Sequence, residues 1–479
     1  MELLYAALQS GFASLVSYLA AHVLLCLVPA FFVAGALSAL VPQQSVVRFL
    51  GPDAPRWVAY PAAAGAGSLL AVCSCTVQPL FAGVYIKGAG LGPAITFLFF
   101  APAANILALS YTGVALGADF AIARVVLSLA FGIGIGIIMA MLFRRGDAAR
   151  LVSPSAFVGD ETISRKTIVF LVALIALLIA GTLKVDLLAA HLMTFDIISP
   201  AALPAQQVLN QLLPVDTIKG NEGLSLHGVI LISLLILIGV SAWRGLGKVD
   251  EGINWLTKLT LGLIAITLVF AALNIQATTV GIEIVITGRS FAVTASIALL
   301  TVLARRFDTW DIQQWLWETW RFVRLIFPLL VAGIFIVGII RLFIQPEWVQ
   351  AIAGTNTLAS NMAGVVFGVF MYFPTLVEVP IAKMFLSLGM HPGPLIAYLM
   401  ADPELSLQSI LITSAIIGKL KTWTYVGLVA LFSTASGLTY GAWVDGTPIA
   451  VIALLIIGFI GLVVATFYFV EKRQQSVTG

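Results

Sequence analysis

The chain has 479 residues, 60% hydrophobic and only 10% charged, with a mean hydropathy of +1.06 and a formal net charge of +3. A soluble domain carries about a quarter charged residues, so this composition excludes a soluble globular protein and fits a polytopic membrane protein. No basic, aromatic-interleaved stretch is present, which excludes nucleic acid as a partner. Cys26, Cys73 and Cys75 all lie in apolar segments, which excludes a disulfide framework and an extramembrane zinc motif.

Apolar segments run at about 12–41, 56–88, 91–116, 119–143, 167–183, 224–243, 259–277, 286–304, 324–344, 355–388, 392–417, 422–440 and 448–470. The opening MELLYAALQS lacks the basic region and cleavage site of a secretory signal. Basic residues cluster at Arg144, Arg145, Arg150, Arg165 and Lys166, at Arg244, Lys248 and Lys258, and at Arg305, Arg306, Arg321 and Arg324. Lys419, Lys421, Lys472 and Arg473 complete the set, and the 184–222 loop is poorer in positive charge. Positive loops face the cytoplasm. This orientation predicts an inner-membrane protein with its N-terminus outside, its C-terminus cytoplasmic and the 184–222 loop outside.

Residues 67–105 overlay without a gap on residues 368–406 at an offset of 301, matching Gly67 with Gly368, Pro79 with Pro380, Gly88 with Gly389, Gly92 with Gly393, Pro93 with Pro394 and Pro102 with Pro403. Broken apolar segments at matching places in two halves point to a secondary transporter's binding site. Charge bias gives the 119–143 and 422–440 spans opposite directions, so the two repeats are read as inverted. At 1.5 Å per residue a helix over 56–88 reaches about 50 Å, too long for a core of about 30 Å. That segment is therefore read as a hairpin turning at the Cys-Ser-Cys region, and 355–388 as its counterpart turning near Pro374 and Thr375.

The expected fold is an all-α polytopic membrane protein of about eleven spans plus two re-entrant or broken hairpins. Repeat one covers 1–145, with its hairpin at about 56–88. A central joining module covers 146–310, and repeat two covers 311–479, with its hairpin at about 355–388. The module inverts repeat two, or serves as a surface for assembly into a homo-oligomer. Trp310, Trp315, Trp317 and Trp320 lie on a basic stretch read as an interface helix resting on the membrane.

The candidate chemistry sits at the breaks. Thiolates at Cys73 and Cys75 suit soft ions such as Cu(I), zinc or As(III), provided the turn is non-helical; close packing of small residues is the alternative. In repeat two Glu378, Asp402 and Glu404 stand where repeat one has Val77, Ala101 and Ala103. An unpaired intramembrane carboxylate costs at least ~2.5–3.5 kcal/mol and calls for a functional role: cation binding or proton exchange, with Lys383 as a neutralising neighbour in the structural reading. Asn105, Gln78, Thr76 and Thr375 either contact substrate or satisfy backbone freed at the breaks. Pro79, Pro102, Pro380 and Pro403 are read as structural hinges, since each removes a helix donor. Arg124, near Asp119, is read as an interfacial anchor or ion-pair member, and His22 is the one histidine placed for a role within a span.

These residues carry a resemblance. Cys73-Ser74-Cys75 with Pro79, then Lys87-Gly88 and Gly92, then Phe97-Leu98 and Pro102-Ala103 with Asn105, resemble the "predicted permease" family that includes the organoarsenical efflux permease ArsP. Thr375, Glu378, Pro380, Gly389 and Pro403 look like the matching second half. The resemblance implies a permease. The acids Asp402 and Glu404 depart from the expected pattern and make a metal cation or proton coupling more plausible. The reading is thus a secondary-active, proton-coupled permease for a soft metal, metalloid or related small solute, not an enzyme, with no cofactor. Its substrate ligands are Cys73, Cys75, Asn105, Glu378, Asp402 and Glu404. Cys73, Cys75 and Glu378 are its metal ligands, and Glu378, Asp402 and Glu404 its coupling groups. An intramembrane thiol redox protein and a passive cation channel are the alternatives.

Overall fold

A computed structural model describes residues 2–21, 23–42, 49–51, 54–69, 74–144, 146–147, 164–182, 188, 190–199, 201–213, 223–278, 281–341, 346–370, 375–448, 450–459, 461, 463 and 465–466. The chain opens with α1 (Glu2–Ala21), a π-helical turn (Val23–Leu27) and α2 (Val28–Leu40). Pro29 sits in the first turn of α2, where its missing N–H breaks no intrahelical bond. Then come α3 (Arg56–Leu69), α4 (Ser74–Ile86), α5 (Leu91–Ala103), α6 (Ile106–Ala115) and α7 (Ala118–Leu142). The middle of the chain forms α8 (Arg165–Thr182), β1 (His191–Ile198), α9 (Ala202–Leu212), α10 (Leu226–Gly245), a 3₁₀ turn (Leu246–Glu251) and α11 (Trp255–Ala271). It continues through β2 (Asn274–Ala277), β3 (Gly281–Thr287) and α12 (Gly288–Ala304). The last third holds α13 (Thr309–Arg341), α14 (Pro346–Ala353), α15 (Leu358–Phe370), α16 (Thr375–Ser387), α17 (Pro392–Leu405), α18 (Leu407–Ile417), α19 (Lys419–Val444) and α20 (Ala450–Phe459).

Among the described residues five helices are long and apolar enough to cross a membrane, and up to seven if each of two bent pairs is one span. The chain is therefore a multi-pass, helical membrane protein. Its packing divides it into two units, residues 1–42 with 162–342, and residues 43–161 with 343–479.

In the first unit α1 and α2 pack along α13, α10 along α11, and α8 along α12. Ser10 donates to the Gly338 carbonyl (2.7 Å) and the Trp315 indole N–H to the Phe32 carbonyl (2.9 Å), tying α13 to both early helices. The tryptophan-rich stretch is not a separate interface helix. It forms the first turns of the 33-residue α13, with Trp315 buried edge-on against Phe170 at 4.9 Å. A three-stranded antiparallel sheet in the order β1-β3-β2 sets Thr194 opposite Val285, an element the hydropathy reading missed. The alternating β-branched run GIEIVIT explains β3.

The second unit repeats itself. Ser74 and Thr375, Leu91 and Pro392, Ile106 and Leu407, and Ala118 and Lys419 open corresponding helices, each pair 301 residues apart. Gly88 (φ 98°) and Gly389 (φ 92°) close α4 and α16 in the left-handed conformation that glycine tolerates. Behind each runs the six-residue bond of a Schellman motif, from Ala89 N to Val84 O (3.3 Å) and from Met390 N to Phe385 O (3.0 Å). Helices α5 and α7 cross backbone to backbone, as do α17 and α19: a Cβ on Gly136 would lie 2.8 Å from the Gly92 carbonyl, and one on Gly437 2.6 Å from that of Gly393. Small residues permit this approach where lipid supplies no hydrophobic drive between helices. Helix α4 of the first repeat packs on α18 of the second, and α16 of the second on α6 of the first.

The apolar segments 91–116 and 392–417 are not single straight spans. The first breaks at Ala104 and Asn105, the second at Ser406 with a 47° bend. The turn regions of the two expected hairpins, 70–73 and 371–374 with Pro374, lie outside the described residues, as do His22, Lys472 and Arg473.

Candidate functional site

The two breaks organise the site. Pro102 has no N–H to donate, and α5 ends one residue later. Asn105 stitches the gap: its amide nitrogen donates to the carbonyls of Ala101 (2.8 Å) and Pro102 (3.3 Å), while its oxygen accepts from Ala108 N (2.8 Å) as the N-cap of α6. The side chain is buried and committed to backbone. In repeat two the break follows Pro403, and the Ser406 hydroxyl donates to that of Ser409 (2.8 Å).

Arg124, in the second turn of α7, fills the space beside the first break. It is fully buried, and among the described residues it is the one buried Lys or Arg. Each of its three guanidinium nitrogens is engaged. Nε donates to the Ala103 carbonyl (2.7 Å), Nη1 to the Thr112 hydroxyl (3.2 Å) and Nη2 to Glu378 Oε1 (3.0 Å). Thr112 can accept because its own proton goes to the Ala108 carbonyl (2.7 Å). Glu378, in the first turn of α16, is equally buried, so this ion pair joins the two repeats away from solvent.

A second carboxyl lies within electrostatic reach of that pair. Glu404, 4% exposed, accepts from the Tyr425 hydroxyl through Oε2 (2.6 Å), while its buried Oε1 has no hydrogen-bond partner. The offset of 301 places Arg124 opposite Tyr425 and Ala103 opposite Glu404. One address on the long helix therefore reaches one address at the break in both repeats, by guanidinium to carbonyl in one and by phenol to carboxyl in the other.

Asp402 is fully buried in α17, its backbone against Gly368, where a Cβ would stand 2.8 Å from Asp402 N. Gln78 is buried in α4 and accepts from the Thr413 hydroxyl of α18 (3.1 Å). Thr76 is buried in the same helix. Pro79 and Pro380 lie within α4 and α16. Thr375 opens α16, but its side chain lies outside the described residues, as do Cys73 and the side chain of Cys75. Of the metal trio Cys73, Cys75 and Glu378, only the Glu378 side chain is thus placed. Among the described residues no three His, Cys, Asp or Glu side chains converge as metal ligands. Lys383 is exposed and does not neutralise Glu378; Arg124 does.

Of the two readings of Arg124, interfacial anchor or ion-pair member, the structure supports the ion pair, with Glu378 as its partner. The role of Tyr425 was missed. The available signal was the alignment of Arg124 with Tyr425, two polar groups at one address in corresponding spans.

A model of a predicted permease family matches residues 9–442. The UPF0718 protein MJ0584 of Methanocaldococcus jannaschii is 31% identical over 430 residues, covering 89% of this chain and 94% of that protein. No solved structure matches the chain.

Proposed function

The chain belongs to the predicted permease family, and from that premise we propose that it is a secondary-active permease whose coupling proton resides on Glu404. The carrying observation is the contrast between two buried carboxyls. Glu378 has a full counter-ion in Arg124, so its charge is compensated where it lies. Glu404 has only a phenol on one oxygen and a bare second oxygen. A carboxylate without a counter-ion at this depth is costly, and a proton on Oε1 removes that cost while Tyr425 keeps Oε2 satisfied.

Among the described residues, the buried titratable groups on the helices around Glu404 are Arg124 from α7, Glu378 from α16, Tyr425 and Tyr440 from α19, and Tyr398 and Asp402 from its own helix, while α5, α15 and α18 carry none. Asp119, Lys383 and Lys419 on the same helices are exposed, and Lys421 is half-buried. With Arg124 and Glu378 compensating each other, an ionised Glu404 leaves −1 at this point of the buried core. That excess favours uptake of protons or a cation over an anion.

The substrate of this reading is a soft metal or metalloid species, with Cys73 and Cys75 as thiolate ligands and Glu378, Asp402 and Asn105 lining its path. The membrane is the inner membrane, with the N-terminus outside, the C-terminus cytoplasmic and the repeats inverted. Proteoliposomes test it with arsenite and zinc as probes, under an imposed pH gradient and without one. Wild type is expected to accumulate or expel a probe only with the gradient, and Glu404→Gln to lose that dependence. Undiminished gradient-driven flux in Glu404→Gln overturns the assignment of the proton, and undiminished flux in Cys73→Ser/Cys75→Ser overturns the thiolate ligands.

A further inference from the structure

The first unit holds a cavity of about 490 Å³ that no part of the transport reading uses. Its walls are apolar side chains from α2, α10 and α13, among them Phe31, Ile238 and Phe327. Its polar groups gather on one face of α13. Trp320 and Arg324 stand four residues apart there, on the same side of the helix. The Trp320 indole N–H is buried, in a residue only 6% exposed, and has no acceptor among the described residues. Arg324 is exposed, and no hydrogen bond or ion pair among the described residues uses it. The acid nearest in sequence, Glu318, is taken by Arg321 at 2.7 Å. The site therefore offers an unspent N–H donor and an unspent cation at one part of an otherwise oily cavity.

Their position along the helix says what fits. Residues 325–340 carry no charge, so Arg324 is the last charged residue before the apolar half of α13. On α10, residues 226–243 carry no Asp, Glu, Lys or Arg, and Arg244 follows at once. Trp243, which also lines the cavity and meets Trp320 edge-on at 6.2 Å, thus marks the same boundary on the neighbouring helix. Tryptophan and arginine at the edge of charge-free stretches mark the headgroup level of a bilayer. From there the cavity continues into wholly apolar residues of α2, α10 and α13.

We infer that this cavity is a binding site for an anionic phospholipid, with its phosphate on Arg324 and the Trp320 N–H and one acyl chain lying along Ile238, Phe327 and Phe31. Charge complementarity selects the anionic headgroup, since nothing among the described residues neutralises Arg324. A basic residue near a membrane surface contributes about 1 kcal/mol toward an anionic lipid, which amounts to about a fivefold preference.

The full chain, purified in mild detergent, tests this by native mass spectrometry with added palmitoyl-oleoyl phosphatidylglycerol or phosphatidylcholine. Quenching of tryptophan fluorescence by the acyl-brominated forms provides a second readout. Wild type is expected to retain phosphatidylglycerol about fivefold over phosphatidylcholine, and Arg324→Gln to erase that preference without losing acyl-chain quenching. Gly239→Leu places a side chain in the cavity at a position where a Cβ meets nothing within 4 Å. This variant is expected to fold as wild type and to abolish both signals. Equal retention of the two lipids by wild type, an unchanged preference in Arg324→Gln, or undiminished quenching in Gly239→Leu each overturns the inference.

Discussion

Removing Arg124 tests the architecture of the site most stringently. Arg124→Met strips the counter-ion from a fully buried Glu378 and takes the donors from the Ala103 carbonyl and the Thr112 hydroxyl. Breaking a buried pair by deleting one partner costs about 3–5 kcal/mol, because the remaining charge is left uncompensated. A carbonyl deprived of its buried donor adds about 1–3 kcal/mol. The single variant should therefore lose roughly 4–8 kcal/mol of stability, enough to unfold a marginal protein. The double variant Arg124→Met/Glu378→Leu removes both charges and leaves only the Ala103 carbonyl without its donor, since the Thr112 hydroxyl still donates to the Ala108 carbonyl. It should recover most of the ion-pair term and prove more stable than Arg124→Met alone. Thermal unfolding of the purified protein, followed by the fraction remaining monodisperse, reads the difference. If the two losses simply add in the double variant, the residues are not energetically coupled and the buried pair is not what joins the repeats.

Other consequences follow from single contacts. Gly136→Leu and Gly437→Leu each drive a side chain into the facing glycine carbonyl, at 2.8 and 2.6 Å for the Cβ alone, and should each cost about 1–3 kcal/mol or more by thermal unfolding. Gly427→Leu, where a Cβ meets nothing within 4 Å, should be nearly neutral in the same assay. Asn105→Ala loses the cap of α6, at about 0.5–2 kcal/mol, and frees the Ala101 and Pro102 carbonyls, so its melting temperature should fall even if flux survives. Single cysteines placed in the 144–166 and 184–222 loops should label from opposite sides of the membrane; labelling from one side refutes the proposed orientation.

Much of this was legible in the sequence because helix breaks are written in residue types. Gly88 with Gly389 and Pro102 with Pro403 mark backbone events, so one offset predicted where the corresponding helices of the second unit begin. The carboxyls Glu378, Asp402 and Glu404 stood out because apolar surroundings make any acid conspicuous. Their partners did not. Glu378 and Arg124 are 254 positions apart, a contact created only by packing, so the sequence admits an anchor or an ion-pair member at Arg124 without naming its partner. Tyr425 draws no notice in the sequence until it is set opposite Arg124. The strands at 274–287 were hidden for another reason: 274–277 falls at the end of the apolar segment 259–277, and most of 281–287 falls in the short gap before the segment at 286. Likewise the tryptophans before Arg324 looked amphipathic alone, yet the helix runs through them without a cap.

The central claim is that Glu404 carries the proton exchanged for substrate, and proton release on binding measures it directly. Adding arsenite, as neutral As(OH)3, to the purified protein in weakly buffered solution with a pH indicator should release about one proton per bound As(III) from wild type, because the thiol protons of Cys73 and Cys75 leave as water with the displaced arsenic hydroxyls. It should release the same from Glu378→Gln/Arg124→Met, where the pair is removed together, and none from Glu404→Gln. Full release from Glu404→Gln, with binding intact, contradicts the account.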